Sequence, residues 1–264
     1  MSPFASLQDR LYFHVPYRDL LENLTQVLRN RVNCEIYIGS SALDAPAKRE
    51  INLINESFKK EGLRKIMHGP FHDLNSGSFD TEVRRISERR YIQAIEFCSA
   101  LGSGNIVMHT GYQPIFYYYA KDLWMQNALG CWEAVIKQAK KHGITICVEN
   151  SVDTSADVIV ELVKKAGSDN FKACFDIAHY NVFSKVPILE SLNAYPPGLI
   201  REIHLSDNDG TSDAHLALGE GKIDFPAFFK ELDTLGIAPI VTVEPHTPED
   251  IPKSLAYLKG LGLM

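Results

Sequence analysis

The sequence predicts a single (β/α)8 barrel over residues 1–264, and three observations carry that prediction. Eight apolar runs of strand length alternate with eight segments of helical period, the pattern of a closed parallel barrel. The length of 264 residues is that of one such barrel. No Gly-rich phosphate turn follows the first apolar run, which argues against a doubly wound open sheet. Neither a linker nor a low-complexity segment divides the chain, so one domain is expected.

The elements pair off in order. The run Leu11–Val15 precedes a helical segment near residues 17–30, and Cys34–Gly39 precedes one near 46–61. Lys65–Gly69 leads into 81–101, and Asn105–Thr110 into 120–142. Ile144–Asn150 leads into 155–167, Phe171–Ile177 into 187–193, Ile200–Ser206 into 224–235, and Ala238–Pro245 into 248–260. Asp80-Thr81-Glu82 and Thr154-Ser155-Ala156-Asp157 offer oxygen caps and early carboxylates at two helix starts. Gly102, Gly143, Gly167 and Gly236 fall at helix ends, where a left-handed residue is often needed.

Composition narrows the class. A hydrophobic fraction of 45% with 23% charged residues suits a globular protein. No stretch reaches the roughly 20 apolar residues of a membrane span, so no membrane partner is expected. Met1–Gln8 lacks a basic segment followed by an apolar one, which leads to the expectation of a cytoplasmic protein. Cys34, Cys98, Cys131, Cys147 and Cys174 form no C-x-x-C pair and read as reduced, buried thiols. The formal charge of −6 argues against a general nucleic-acid binder.

Strand parity points to the C-terminal ends of the strands. Alternate side chains of a strand face opposite ways. Ile144, Ile146 and Val148 would pack on the helices, while Thr145, Cys147 and Glu149 face the axis. By the same rule His109, Asp176, His204 and Glu244 face inward, beside the outward Met108, Phe175, Ile203 with Leu205, and Val241 with Val243. In each case the polar residue ends its strand, where barrel active sites lie. An unpartnered buried polar group costs several kcal/mol, so five such ends suggest a shared partner, and a metal cluster supplies one.

The candidate ligands in chain order are His68, His109, Glu149, Asp176, His179, His204, Asp213, His215 and Glu244. All are imidazoles and carboxylates, which suit Zn, Mn or Fe. Glu149, Asp176, His204 and Glu244, at the ends of four strands, make a four-ligand site by themselves. Asp213 and His215 are two apart, so in an extended segment both would point one way, and Gly219-Glu220-Gly221 would turn the loop back toward them. Taken singly, each has a bland reading: a lone histidine is more often a hydrogen-bonded core or surface group, and His14, His72, His142 and His246 keep that reading. The run Ile115-Phe116-Tyr117-Tyr118-Tyr119 is either helix-start packing or an aromatic platform for a base or sugar ring. Phe71 and His72 could line the same mouth.

At these residues the chain resembles the xylose isomerase-like barrel superfamily, which includes endonuclease IV and many sugar isomerases and epimerases. The resemblance runs through Val148-Glu149-Asn150, Cys174-Phe175-Asp176-Ile177-Ala178-His179, Ile203-His204-Leu205-Ser206-Asp207, Gly219-Glu220-Gly221-Lys222-Ile223-Asp224 and Val243-Glu244-Pro245. It implies that Glu149, Asp176, His204 and Glu244 bind metal. Likeness to endonuclease IV implies three metals on all nine candidates, including His68 in His-Gly-Pro-Phe and His109 in Met-His-Thr-Gly, and a phosphoester hydrolase acting through metal-bound hydroxide. Likeness to the sugar isomerases implies one metal, with Glu149 and Glu244 moving a proton through an enediolate and His179 binding a sugar oxygen. Those enzymes commonly carry an Arg where Asp213-x-His215 stands here. In the other direction, Cys34-Glu35-Ile36-Tyr37-Ile38-Gly39 resembles the isomerase branch. Thr110-Gly111-Tyr112-Gln113 and Asn150-Ser151-Val152-Asp153 replace glycine-rich motifs of endonuclease IV, and its DNA-penetrating second-strand loop has no counterpart. These departures speak against abasic DNA and for a small phosphoester or sugar substrate. The expectation is therefore a metal-dependent enzyme holding one to three ions per chain, foremost Zn, with Mn or Fe as alternatives. Hydrolysis comes first, isomerisation or epimerisation second, and a non-catalytic metal or ligand binder third.

Overall fold

The computed structural model describes residues 7–264; Met1–Ser6, part of the stretch read above for a leader, lie outside the described residues. Eight parallel strands follow one another in chain order in a closed barrel. They are β1 (Leu11–Pro16), β2 (Cys34–Tyr37), β3 (Lys65–His68), β4 (Asn105–His109), β5 (Thr145–Glu149), β6 (Phe171–Asp176), β7 (Ile200–Leu205) and β8 (Ile240–Val243). Each expected strand is found, trimmed by up to two residues at an end except for β1, which runs one residue longer. No helix among the described residues is long and apolar enough to cross a membrane.

The chain falls into two compact units. One comprises residues 14–149 and 161–172 and carries β2 to β5. Its register sets Tyr37 beside His68, His68 beside Val107, and His109 beside Glu149. The long helices Thr81–Ala100 and Lys121–Lys141 pack on this sheet. Tyr91 stacks on Trp132 at 4.7 Å, and Trp132 tilts on Phe171 at 5.2 Å. Asp80 caps the first of these helices, accepting the backbone N–H groups of Glu82 and Val83. Gly102 and Gly143, just past the two helices, have φ of +66°, as their sequence positions require.

The other unit comprises residues 7–13, 150–160 and 173–264 and carries the start of β1 with β6, β7 and β8. Asp176 pairs in register with His204, and His204 with Thr242. Phe175 packs against Tyr180, Tyr195 and Phe228, an aromatic backing for the polar ends of these strands. Asp207, two residues past β7, accepts four backbone N–H groups, from Asn208, Gly219, Gly221 and Ile223. One carboxylate thereby folds the whole 207–223 loop.

Three short α-helices lie where none is expected from periodicity, one of them Pro114–Tyr117 after β4. Ser40–Asp44 is a single short turn after β2. Ile177–Phe183 starts directly at the end of β6 because the Asp176 carboxylate accepts the His179 N–H at 2.6 Å. All three are too short for a 3.6-residue apolar pattern to declare itself. All five cysteines are free and buried, and burial pushes the Cys34, Cys98 and Cys131 thiols up to about 12. They are inert at neutral pH.

Candidate metal centre

In the 14–149 unit, the ends of β3, β4 and β5 bring three candidate ligands together. His68 Nε2 lies 3.2 Å from Glu149 Oε2, and His109 Nε2 lies 3.1 Å from the same oxygen. The three donors sit close enough to share an ion. His68 Nδ1–H donates to the carbonyl of Gly69 at 2.8 Å. That bond fixes the tautomer and leaves Nε2, which faces Glu149, as the ligand atom. Tyr37 and Phe71 wall the group: Phe71 contacts His68 and His109 edge-on or tilted, at 5.8 and 4.9 Å, and His72 stacks on Phe71 at 4.1 Å. His14, read as a bystander, meets His68 edge-to-face at 5.5 Å.

In the second unit the remaining six candidates form one connected group. His179 Nε2 and His215 Nε2 both lie 3.3 Å from Asp213 Oδ2, and the three could hold one ion. His179 Nδ1–H donates to the Asn150 carbonyl at 2.8 Å, and His215 Nδ1–H to the Glu244 backbone carbonyl at 3.0 Å. Each ring is thus held by one nitrogen and presents the other. Burial alone would raise the Asp213 pKa, but hydrogen bonds from both imidazoles outweigh it and hold the carboxyl well below its usual range. Burial would likewise depress His215, yet the hydrogen bond to Asp213 and the charge of Glu244 lift it to about 9. His246 stacks on His215 at 4.4 Å, and burial and then the neighbouring His215 charge lower its pKa. His204 lies 3.5 Å from Glu244 through Nδ1, and Asp176 is its register partner.

Two expectations need correction here. Asp213 and His215 do not converge through an extended segment. His215 has φ +46°, and a tight turn joins Ala214 N–H to Ser212 O. A bulky residue in the left-handed region is strained, and the anchoring of His215 to Glu244 holds it there. The aromatic run is not helix-start packing as a whole. Tyr117 packs on Trp124 and its hydroxyl accepts from Asn75, but Ile115, Phe116, Tyr118 and Tyr119 are 61–76% exposed.

A metal fits this set on an observation independent of ligand type. Asp213 Oδ1 is buried with no hydrogen-bond partner among the described residues, which is costly for a carboxylate unless a cation meets it. Asn150, given no role in the sequence reading, anchors the end of β6. It exchanges two 2.9 Å bonds with the Asp176 backbone while its carbonyl holds His179. The signal was its place beside Glu149 in Val148-Glu149-Asn150.

Asp153 yields a stability prediction. It is buried, one carboxylate oxygen accepts from Ser151 N–H at 2.9 Å, and the other has no partner. Burial raises its pKa from 3.8 to about 6. The folded state therefore holds the proton more tightly, so stability falls as pH rises from 3.8 through 6. The full loss is about 3 kcal/mol above pH 7. Asp153→Asn should recover up to about 3 kcal/mol at pH 7.5 and about half of that at pH 5, read by urea unfolding at both pH values. A gain equal at both would contradict a titration origin.

The chain resembles proteins of one family throughout. Residues 34–261 match the family described as xylose isomerase-like TIM barrel. The chain is 30% identical over 202 residues to the uncharacterized protein MJ1311 of Methanocaldococcus jannaschii, covering 74% of this chain and 68% of that one. A solved structure described as a D-tagatose 3-epimerase-like protein superposes with a TM-score of 0.79 at 27% identity, covering 95% of this chain and 96% of the other. A D-psicose 3-epimerase shares the fold at a TM-score of 0.79 and 17% identity, over 97% of this chain and 100% of that one. The chain belongs to the xylose isomerase-like TIM barrel family.

Proposed function

We propose that the chain is a divalent-metal-dependent enzyme that hydrolyses a small phosphoester. The observation that carries this reading is the pair of imidazole–carboxylate–imidazole sets, His68–Glu149–His109 and His179–Asp213–His215. A single-ion enzyme would need only four of the nine candidates, Glu149, Asp176, His204 and Glu244; five further ligands call for further ions. The donors are all nitrogen and carboxylate oxygen, which suits Zn and accepts Mn or Fe. Bound ions would supply Lewis-acid charge to phosphate oxygens and lower the pKa of an attacking water.

The residues of the chain do the rest. His68, His179 and His215 are held to backbone carbonyls and present Nε2 in fixed orientation. Glu149 and Asp213 each offer a single oxygen to two imidazoles. Phe71 and Tyr37 exclude water from the His68 side. Buried free thiols fit a reducing compartment and hence the cytoplasm.

A second reading has its own support. The 27% identical solved structure is described as D-tagatose 3-epimerase-like, and under that reading Glu149 and Glu244 would transfer a proton on a sugar with His179 at a sugar oxygen. Metal analysis of protein purified without chelator separates the two. About three equivalents with hydrolysis of bis(p-nitrophenyl) phosphate is the expected result. One equivalent, with solvent deuterium entering a C–H of D-tagatose, would establish the second reading instead. Protein with no metal and neither activity would sink both.

A further inference from the structure

Glu202 is fully buried on β7, two residues before His204 and therefore on the same strand face. A carboxylate there is expensive unless it is held and used. Its Oε1 accepts the Thr242 hydroxyl at 3.0 Å, and the same oxygen lies 3.9 Å from His204 Nε2. His204 is oriented opposite to the other ring ligands of its unit. Nδ1 faces Glu244 Oε2 at 3.5 Å, while Nε2 turns inward to Glu202. His179 and His215 have backbone carbonyls behind them, whereas His204 has a carboxylate.

We infer that Glu202 is a positioning residue for the metal ligand His204, held in place by Thr242. At 3.9 Å the pairing is electrostatic rather than a formed hydrogen bond; a carboxylate behind an imidazole favours hydrogen on Nε2, leaves Nδ1 on the side of Glu244 as the ligand atom, and raises its basicity once a cation is bound. Thr242 Oγ donates to Oε1 and lies across the register from His204, so the three side chains share one face of two adjacent strands. The inference rests on the metal-centre reading above and deepens it by assigning a residue outside the nine ligands.

The test is Co²⁺ and Zn²⁺ binding to metal-stripped protein, by competition with a chromophoric chelator, with the Co²⁺ ligand-field spectrum recorded. In Glu202→Gln, which keeps an acceptor for Thr242, one metal equivalent should weaken about 10–100-fold, the loss typical for such a partner. The Co²⁺ spectrum should change, and the melting temperature of the metal-free protein should stay near that of the wild type. Thr242→Val should weaken the same equivalent by a smaller factor, and it decides the matter if Glu202→Gln does not fold. Unchanged affinity and spectrum in a folded variant would overturn the role of Glu202. Absence of Co²⁺ binding in the wild type would instead overturn the metal-centre reading itself, so the two failures are distinguishable.

Discussion

Glu149→Gln is expected to strip metal from the protein and lower turnover about 10³-fold or more, with the barrel still folded. Glu149 ends β5, and its Oε2 faces two imidazole nitrogens at 3.1 and 3.2 Å. Glutamine keeps the size but loses the charge, and its amide nitrogen cannot ligate a cation. Lewis-acid stabilisation is worth several kcal/mol, and each ~1.4 kcal/mol is tenfold in rate, which sets the 10³ scale. Because Glu149 completes the candidate donor set with His68 and His109, the metal content should fall by at least one equivalent. The fold should persist because the β4–β5 ladder from Asn105 to His109 does not depend on this side chain. Metal content by plasma emission and far-ultraviolet circular dichroism on the same sample check both halves. Full metal content in the folded variant would remove Glu149 from the centre.

Much of this was legible in the sequence because a barrel strand announces itself twice, by its apolar run and by the polar residue that ends it. Asp176, His204 and Glu244 were identified that way, and β6, β7 and β8 lie where the apolar runs put them. Strand register is a different matter. That His109 stands beside Glu149, or Asp176 beside His204, depends on how neighbouring strands slide, and no single strand encodes it. Glu202 was within reach of the same parity rule that placed His204. It sits inside the strand rather than at its end, so a rule that looked only at strand ends passed over it. Asn150 carries no chemistry of its own, and only its place beside Glu149 reveals it. The bend at His215 is not legible, because a two-residue spacing is the same in extended chain and in the turn that His215 makes with φ +46°.

Gly221→Ala should be the most damaging single methyl group in the loop that carries two ligands. A Cβ at Gly221 would meet the Asp207 carboxylate and lie 2.5 Å from the Asn208 carbonyl oxygen. Neither can move cheaply. Asp207 is fully buried, accepts four backbone N–H groups including that of Gly221 itself, and pairs through its backbone with Leu216, the residue after His215. Pushing the carboxylate aside leaves buried donors unmet at about 1–3 kcal/mol each. A loss of about 3 kcal/mol or more is therefore expected, measured by urea unfolding. Gly236→Ala provides the control. Gly236 also needs a glycine, with φ +65°, but a Cβ there meets nothing within 4 Å, so only the backbone cost of about 1 kcal/mol applies. The two variants separate conformational strain from collision. They also separate stability from function. Gly221→Ala should lose the ion proposed for His179, Asp213 and His215, because Asp207 and its loop set the position of the last two, while Gly236→Ala should bind metal as the wild type does. If Gly221→Ala kept both its stability and its full metal content, the Asp207 hub would not be what shapes this side of the centre.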